Sequence, residues 1–487
     1  MLVVTVVNLV SVPLFLRYFG PEMYALWFYV ITFTGMFGFA DLGLGVAVGR
    51  YVGVALGKGD HAAVREYWAT GNAIAIPLIA VMSAAFVILG VVFGPVWFNK
   101  IQPENIGLLR ACFITGGFGL FFSYYAQFWN ILSQAHLDFR YVSVLRGIVV
   151  LIQVIPSLVI ARLTGSPLWI NLWAVAVGVL QLIFLMLHAR KKYGLGLNLR
   201  AATLARTREM AAYTVKTLMN LVAGSFFANI DRVIVGRLAS SAPFTHYNIC
   251  SNVGQRLQGV GNSAMGPVFY NTNRSVQEGA TKAGRIYDEM FVFLFGWYCL
   301  AVMWSAVWHP VLLRLWLGAE VGGVPEPLLT PLVAAYCVAA MSGISGSQLA
   351  SLNRLGAAMG FSVAAGVLAA AGAWLGWHWG GIAGAAWGFL ASRLVFVVQD
   401  IFTMRLVGAK GWANPGVWRE GAVQAVVALV FAASYWLLPR DSFWLVLPAI
   451  LHGSLVSAWL LRGPLRRVLG ESRVAASAPA PSSTSKS

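Results

Sequence analysis

The residues able to do chemistry in this chain are charged side chains standing inside long apolar runs. Arg256 lies in the run that opens near Tyr247, and Arg393 in the run that opens near Gly381. At 1.5 Å of rise per residue they sit about 13 Å and about 18 Å from those starts, near the middle of a hydrocarbon layer roughly 30 Å thick. Arg146 lies about 10 Å inside the inner end of its run, and Asp41 some 25 Å from the outer end of its own. Asp231 and Arg232 are neighbours, so on a helix their side chains diverge by about 100° and each requires its own partner. A charge held in lipid costs about 2.5–3.5 kcal/mol on insertion scales, so each is expected to meet an opposite charge, backbone carbonyls or a watery cavity. Carboxylates at the depth of Arg256 and Arg393 are scarce: Asp231 lies nearer the outer face, and Asp400, Asp288 and Glu289 nearer the inner one. An arginine excess at mid-depth suits an anionic ligand, because guanidinium forks match phosphate oxygens. Structural pairing of these arginines stays open at this level. So do three roles for Asp41: pairing with an arginine, carrying a coupling proton, or capping the run Asp41-Leu-Gly-Leu-Gly. Arg17, Lys216 and Arg237 stand close enough to an interface to snorkel.

Catalytic patterns are missing from the sequence. There is no H-E-x-x-H, C-x-x-C or G-x-G-x-x-G, and the stretch Gly53-Val-Ala-Leu-Gly57-Lys58-Gly59 is one residue short of a phosphate loop and lacks its Ser or Thr. Cys112, Cys250, Cys299 and Cys337 are scattered through apolar runs, with neither disulfide nor zinc spacing. No metal or other cofactor is expected. The outer loops are short, the longest running over about residues 313–328, which leaves no room for an extracytoplasmic catalytic lobe.

The elements that position these side chains follow from composition. Of 487 residues 59% are hydrophobic and only 10% charged, against about 25% charged in soluble chains, which excludes a soluble enzyme. Apolar runs long enough to cross a bilayer give fourteen expected helices. Six lie near 1–19, 23–49, 71–97, 108–131, 139–162 and 167–189. Six more lie near 212–236, 244–270, 286–312, 329–351, 355–376 and 380–405, and a last pair near 419–438 and 442–461. The fold class is thus all-α and polytopic. Phe121-Phe-Ser-Tyr-Tyr-Ala-Gln-Phe-Trp129 and Trp374-Leu-Gly-Trp-His-Trp379 fit an interfacial aromatic belt, with stacking on sugar rings as the alternative, and the four-residue ladder Gly372, Gly376, Gly380, Gly384, Gly388 fits close helix packing.

Lys and Arg number 34 against 17 Asp and Glu. A charge of +17 on a soluble protein would suggest nucleic acid, but on this one it fits loops facing anionic lipid. Sorted into alternate loops, 22 basic residues fall on one side and 7 on the other, which makes the basic side cytoplasmic with both termini inside. A basic stretch at 191–211 separates an N-terminal six-helix bundle (1–190) from a second (212–405). Two extra helices (406–461) and an Ala/Ser/Pro-rich tail (462–487), expected to be disordered, follow. The two blocks read as parallel repeats, each with a polar inner loop after its second helix (50–72 and 271–285) and a site expected between the halves. The first apolar run, followed by Arg17-Tyr-Phe-Gly-Pro-Glu, reads as a retained helix.

Pro13-Leu-Phe-Leu-Arg17-Tyr-Phe-Gly20-Pro-Glu-Met-Tyr24-Ala-Leu-Trp27, with Phe39-Ala-Asp41-Leu-Gly-Leu-Gly45 and Gly57-Lys-Gly-Asp60, resembles the opening of the polysaccharide and O-antigen flippases. These belong to the superfamily that also holds the multidrug extruders and the lipid II flippase. Asn229-Ile-Asp231-Arg-Val-Ile-Val-Gly236 resembles the family's seventh helix, and the similarity of pattern covers most of residues 1–405. The chain departs in having Phe244-Thr-His246 where the family often has a Gly before the tyrosine.

The resemblance implies two six-helix bundles around a cationic cavity and alternating access. It also implies passage of a polyprenyl-pyrophosphate oligosaccharide to the outer leaflet of the bacterial inner membrane, with polysaccharide polymerase machinery as a further partner. Arg17, Asp41 and Arg50 match charged positions of the family's first two helices, and Asp231 and Arg232 those of its seventh. The expected substrate-binding set is therefore Arg256, Arg393, Arg146, Arg17, Arg50 and Arg232, with Asp41 and Asp231 as coupling or charge-pairing groups. A small-molecule extruder, which should show a dominant carboxylate, and a glycan polymerase or ligase are the alternatives.

Overall fold

The computed structural model describes residues 2–37, 42–98, 101–136, 138–211, 228–278, 280–317, 327–352 and 354–437. Asp41, the first part of the expected seventh span, the fourteenth span and the tail lie outside the described residues. Among those described are thirteen α-helices and no strand, and the all-α polytopic reading holds. Seven stretches among them are long and apolar enough to cross a membrane: His61–Trp97, Pro103–Ala135, Arg140–Thr164, Pro167–Tyr193, Tyr287–Val307, Leu329–Gly346 and Gly356–Val407. The chain divides into two compact units, one of residues 1–249 with 369–385 and the other of the remainder.

The first unit opens with α1 (Leu2–Met36), which is two helical pieces in one run. Gly20 turns to φ 70° ahead of Pro21, where the first outer turn was expected, in a region that a side chain would make costly. α2 (Leu42–Gly57) and α3 (His61–Trp97) follow. The polar inner loop expected at 50–72 is instead almost wholly helical. Only Lys58, Gly59 and Asp60 interrupt it, and the Asp60 carboxylate accepts from the Ala63 N–H to start α3. Charge in this stretch therefore did not end the helices. α4 (Ile106–Ala135), α5 (Phe139–Thr164) and α6 (Pro167–Tyr193) complete the first six-helix run, the last two closed by left-handed Gly165 and Gly194.

The core of this unit around α3 and α4 is aromatic. Trp68 meets Phe128 and Trp129 with ring centroids 5.1 and 4.9 Å apart, and the Tyr125 hydroxyl donates to Asn72 Oδ1 at 2.8 Å. The basic segment after α6 is docked onto this core: Leu195 and Met210 are buried in it. Arg206 donates to Glu66 and Glu209 at 3.1 Å each and to the Tyr67 hydroxyl at 2.8 Å.

The short α7 (Ile230–Leu238) and the long α8 (Ser241–Glu278) lead toward the second unit. There α9 (Ala280–Leu317) packs on α10 (Leu329–Ser351) and α13 (Pro415–Leu437), while α10 packs on α12 (Leu394–Val407). The second expected inner loop, 271–285, is also helical apart from position 279, which lies outside the described residues. α11 (Leu355–Ser392) turns back at Gly380 and Gly381, which lets the backbones of Gly376 and Gly384 meet. A Cβ on either would stand 2.0–2.1 Å from the other's carbonyl oxygen. The expected close packing of the glycine ladder is present at this pair.

Candidate functional site

The motif at 229–236 forms an interior seam of the first unit. Asp231 is fully buried, and its Oδ2 accepts from the Tyr247 hydroxyl at 2.9 Å. Arg232 beside it is only 2% exposed. The Val233 carbonyl accepts from the Trp97 indole at 3.0 Å, and Arg237 donates to the Val96 carbonyl at 2.8 Å, so α7 is tied to the end of α3. Gly236 packs under stacked rings, with Tyr29 3.9 Å from Phe98 and 4.3 Å from Phe244. Phe244-Thr-His246, the departure from the family pattern, belongs to the same seam: Phe244 is a member of that stack, and the Thr245 hydroxyl donates to the Pro21 carbonyl at 3.0 Å just past the α1 kink. The helical divergence expected of Asp231 and Arg232 thus gives the acid its own partner on α8.

The other expected residues fall into two groups. Arg17 is exposed on α1 just before the Gly20 kink, Arg50 on α2, Arg146 on α5 roughly 10 Å along the helix, and Arg256 on α8 roughly 22 Å from its start. Opposite Arg256, Gly254 lies against Tyr336 and the Leu332 carbonyl of α10, so the arginine occupies the face of α8 turned away from that packing. Arg393 is different. It is 5% exposed at the joint between α11 and α12, where its N–H donates to the Leu390 carbonyl at 3.0 Å. Its guanidinium stands 4.2 Å from the Phe389 ring centroid and 5.6 Å from that of Phe396. The sequence reading placed it inside the expected span 380–405, whereas it lies at a discontinuity.

Three polar clusters escaped the sequence reading. Asp138, between α4 and α5, accepts from Lys192 at 2.5 Å, Tyr193 at 2.9 Å and His188 at 3.0 Å. The Lys192 ammonium foremost, with His188 and Tyr193, holds its carboxyl well below the usual carboxylate range. Tyr141 and His136 stack on His188 and Tyr193 and close the cluster. The spacing of His188 and Lys192, one helical turn apart, was the available signal. Arg206 with Glu66, Tyr67 and Glu209 is the second cluster. There the Tyr67 hydroxyl donates to Glu209 at 2.8 Å and, ahead of Arg206, lowers the carboxyl's pKa. In the second unit, Asp400 accepts from Ser345 at 2.5 Å, Ser345 bonds Tyr287 at 2.7 Å, and Asp288 accepts from the N–H groups of Lys410 and Gly411.

Residues 1–272 match the family described as polysaccharide biosynthesis protein. The chain belongs to that family. No curated protein matches it. Among solved structures this polysaccharide biosynthesis protein is similar to the lipid II flippase MurJ in an inward closed conformation. The TM-score is 0.68 at 12% identity, over 96% of this chain and 100% of that one. It is also similar to an inward-facing multidrug resistance MATE family transporter of the MOP superfamily, with a TM-score of 0.67 at 14% identity over 83% and 94% of the two chains. An outward-facing member of the MATE family gives 0.59 at 13% identity, over 84% and 93%. At such identities the likeness is one of fold: this family member is a multi-pass helical membrane protein built on the same plan.

Proposed function

We propose that the protein is a flippase that moves a polyprenyl-pyrophosphate-linked oligosaccharide from the inner to the outer leaflet of the bacterial cell membrane by alternating access, in polysaccharide export. The observation that carries this reading is the contrast between cations and carboxylates within the helices. Arg17, Arg146 and Arg256 are exposed residues, with only Arg232 and Arg393 buried among the described arginines, whereas Asp231 and Asp400 are at most 1% exposed and already accept hydrogen bonds from hydroxyls. An extruder of cationic drugs needs an accessible carboxylate, and a pyrophosphate carrier needs accessible arginines.

A headgroup with about two negative charges cannot enter hydrocarbon unaided. In this proposal Arg256, Arg146, Arg17 and Arg50 replace part of its hydration, while the prenyl chain stays in lipid. Arg232 and Arg393 join them when helix movement uncovers them, and Asp41 and Asp231 serve coupling or charge pairing. An inside-negative potential favours outward movement of the anion by about 2.3 kcal/mol per charge per 100 mV. The proposal keeps six-helix blocks at 1–190 and 212–405, both termini cytoplasmic, a non-enzymatic role, and polymerase machinery downstream.

The direct test uses purified protein in vesicles carrying a fluorescent lipid-linked oligosaccharide, with a membrane-impermeant quencher outside. Wild-type protein should make the inner-leaflet pool quenchable, and Arg256→Gln should slow that step severely. Protein-free and protein-bearing vesicles that quench equally would overturn the reading.

A further inference from the structure

The segment after α6 has two unlike faces. One is fastened to the first unit: Leu195 and Met210 are buried, Arg206 pairs with Glu66 and Glu209, the Thr203 N–H donates to Thr70 Oγ1 at 3.1 Å, and the Tyr51 hydroxyl donates to the Glu209 carbonyl at 3.1 Å. The other face is open. Leu197, Leu199 and Leu204 are 48%, 45% and 67% exposed, although the chain has just left a helix that is long and apolar enough to cross the membrane. Arg190, Lys191, Arg200 and Arg208 stand exposed around them. Leucines uncovered among cations, at the level where a spanning helix ends, have the chemistry of a segment lying in the headgroup region. Four positive charges there complement anionic headgroups.

We propose that residues 190–208 dock on the anionic inner leaflet, with Leu197, Leu199 and Leu204 entering the boundary between headgroups and acyl chains and Arg190, Lys191, Arg200 and Arg208 on lipid phosphates. Arg206 holds Glu66 and Tyr67 of α3 and the Glu209 carbonyl holds Tyr51 of α2, so the leaflet and those helices are mechanically joined. The inference rests on the inward orientation of this segment, not on the identity of any transported substrate.

The test is spin labelling of the full chain at Leu197→Cys, Leu199→Cys and Leu204→Cys, with a water-facing reference at Lys58→Cys. Cys112, Cys250 and Cys337 are buried, and Cys299→Ser removes the one native thiol that is not. Collision with oxygen and with a water-soluble nickel complex is measured in phosphatidylcholine vesicles with and without phosphatidylglycerol. With phosphatidylglycerol, the three leucine positions should be roughly threefold less accessible to nickel than the reference and correspondingly open to oxygen. Replacing the four cations by Gln should abolish that protection, and free inorganic phosphate should leave it intact. Nickel accessibility equal to the reference in phosphatidylglycerol vesicles would overturn the proposal. Protection that survives loss of the four cations, or is displaced by phosphate, would overturn the anionic-lipid assignment. Because no transport is measured, failure here and failure of the flippase reading are separate results.

Discussion

At the residue scale, arginine chemistry can be separated from simple charge. If Arg256 grips phosphate oxygens with both arms of its fork, Arg256→Lys keeps the charge but loses the two-pronged geometry, and Arg256→Gln loses both. The expected order of transport rates in vesicles is wild type, then Lys, then Gln, with unchanged thermal stability because the side chain is exposed. Equal rates for Lys and Gln would remove charge from the explanation. Asp138 makes a different prediction. Its folded-state carboxyl binds a proton more weakly than in the unfolded chain, so its stabilisation is complete above about pH 4 and is lost as pH falls further. Asp138→Asn should lower thermal stability at pH 7 by an amount on the order of 1 kcal/mol, and the difference from wild type should shrink in acid. A difference that does not change with pH would show that the carboxylate's charge contributes nothing. Depth arithmetic found Arg256 and Asp231 as ionisable groups inside helices. It could not distinguish the exposed Arg256 from the buried Arg393, because exposure depends on which face packs and not on distance along a helix.

Elements carry their own tests. The backbones of Gly376 and Gly384 touch across the turn at Gly380–Gly381, so Gly384→Ala should destabilise by about 1–3 kcal/mol through overpacking. Gly360→Ala, on the same helix and with nothing within 4 Å of the added Cβ, is the control. Thermal unfolding in detergent that fails to separate the two would refute the close approach. Ser345→Ala removes the hydroxyl that donates to Asp400 and leaves a buried carboxyl short of its partner, at an expected cost of about 1–3 kcal/mol. Ser345→Thr should recover most of it. The breaks at Gly20 and Gly380 were legible because Gly-Pro and Gly-Gly punctuate apolar runs. The loops expected at 50–72 and 271–285 were misread because charged residues lower hydropathy without ending a helix. The Arg206 cluster was invisible because Glu66 and Tyr67 lie about 140 residues away in sequence, and at Asp138 the only signal was the one-turn spacing of His188 and Lys192.

At the scale of the whole molecule, composition alone was enough for the all-α polytopic class, since 10% charged residues cannot clothe a soluble protein of 487 residues. Membership of the polysaccharide biosynthesis family agrees with the motifs at 13–27 and 229–236, and the second of these turns out to build an interior seam. The central claim concerns which leaflet holds the cargo. The measurement that tests it most directly is the sidedness of lipid-linked oligosaccharide in host cells depleted of this protein, with rescue by wild type or by Arg256→Gln combined with Arg393→Gln. The flippase account predicts accumulation on the cytoplasmic leaflet, reversed by wild type and not by the double variant. Normal sidedness after depletion would contradict it.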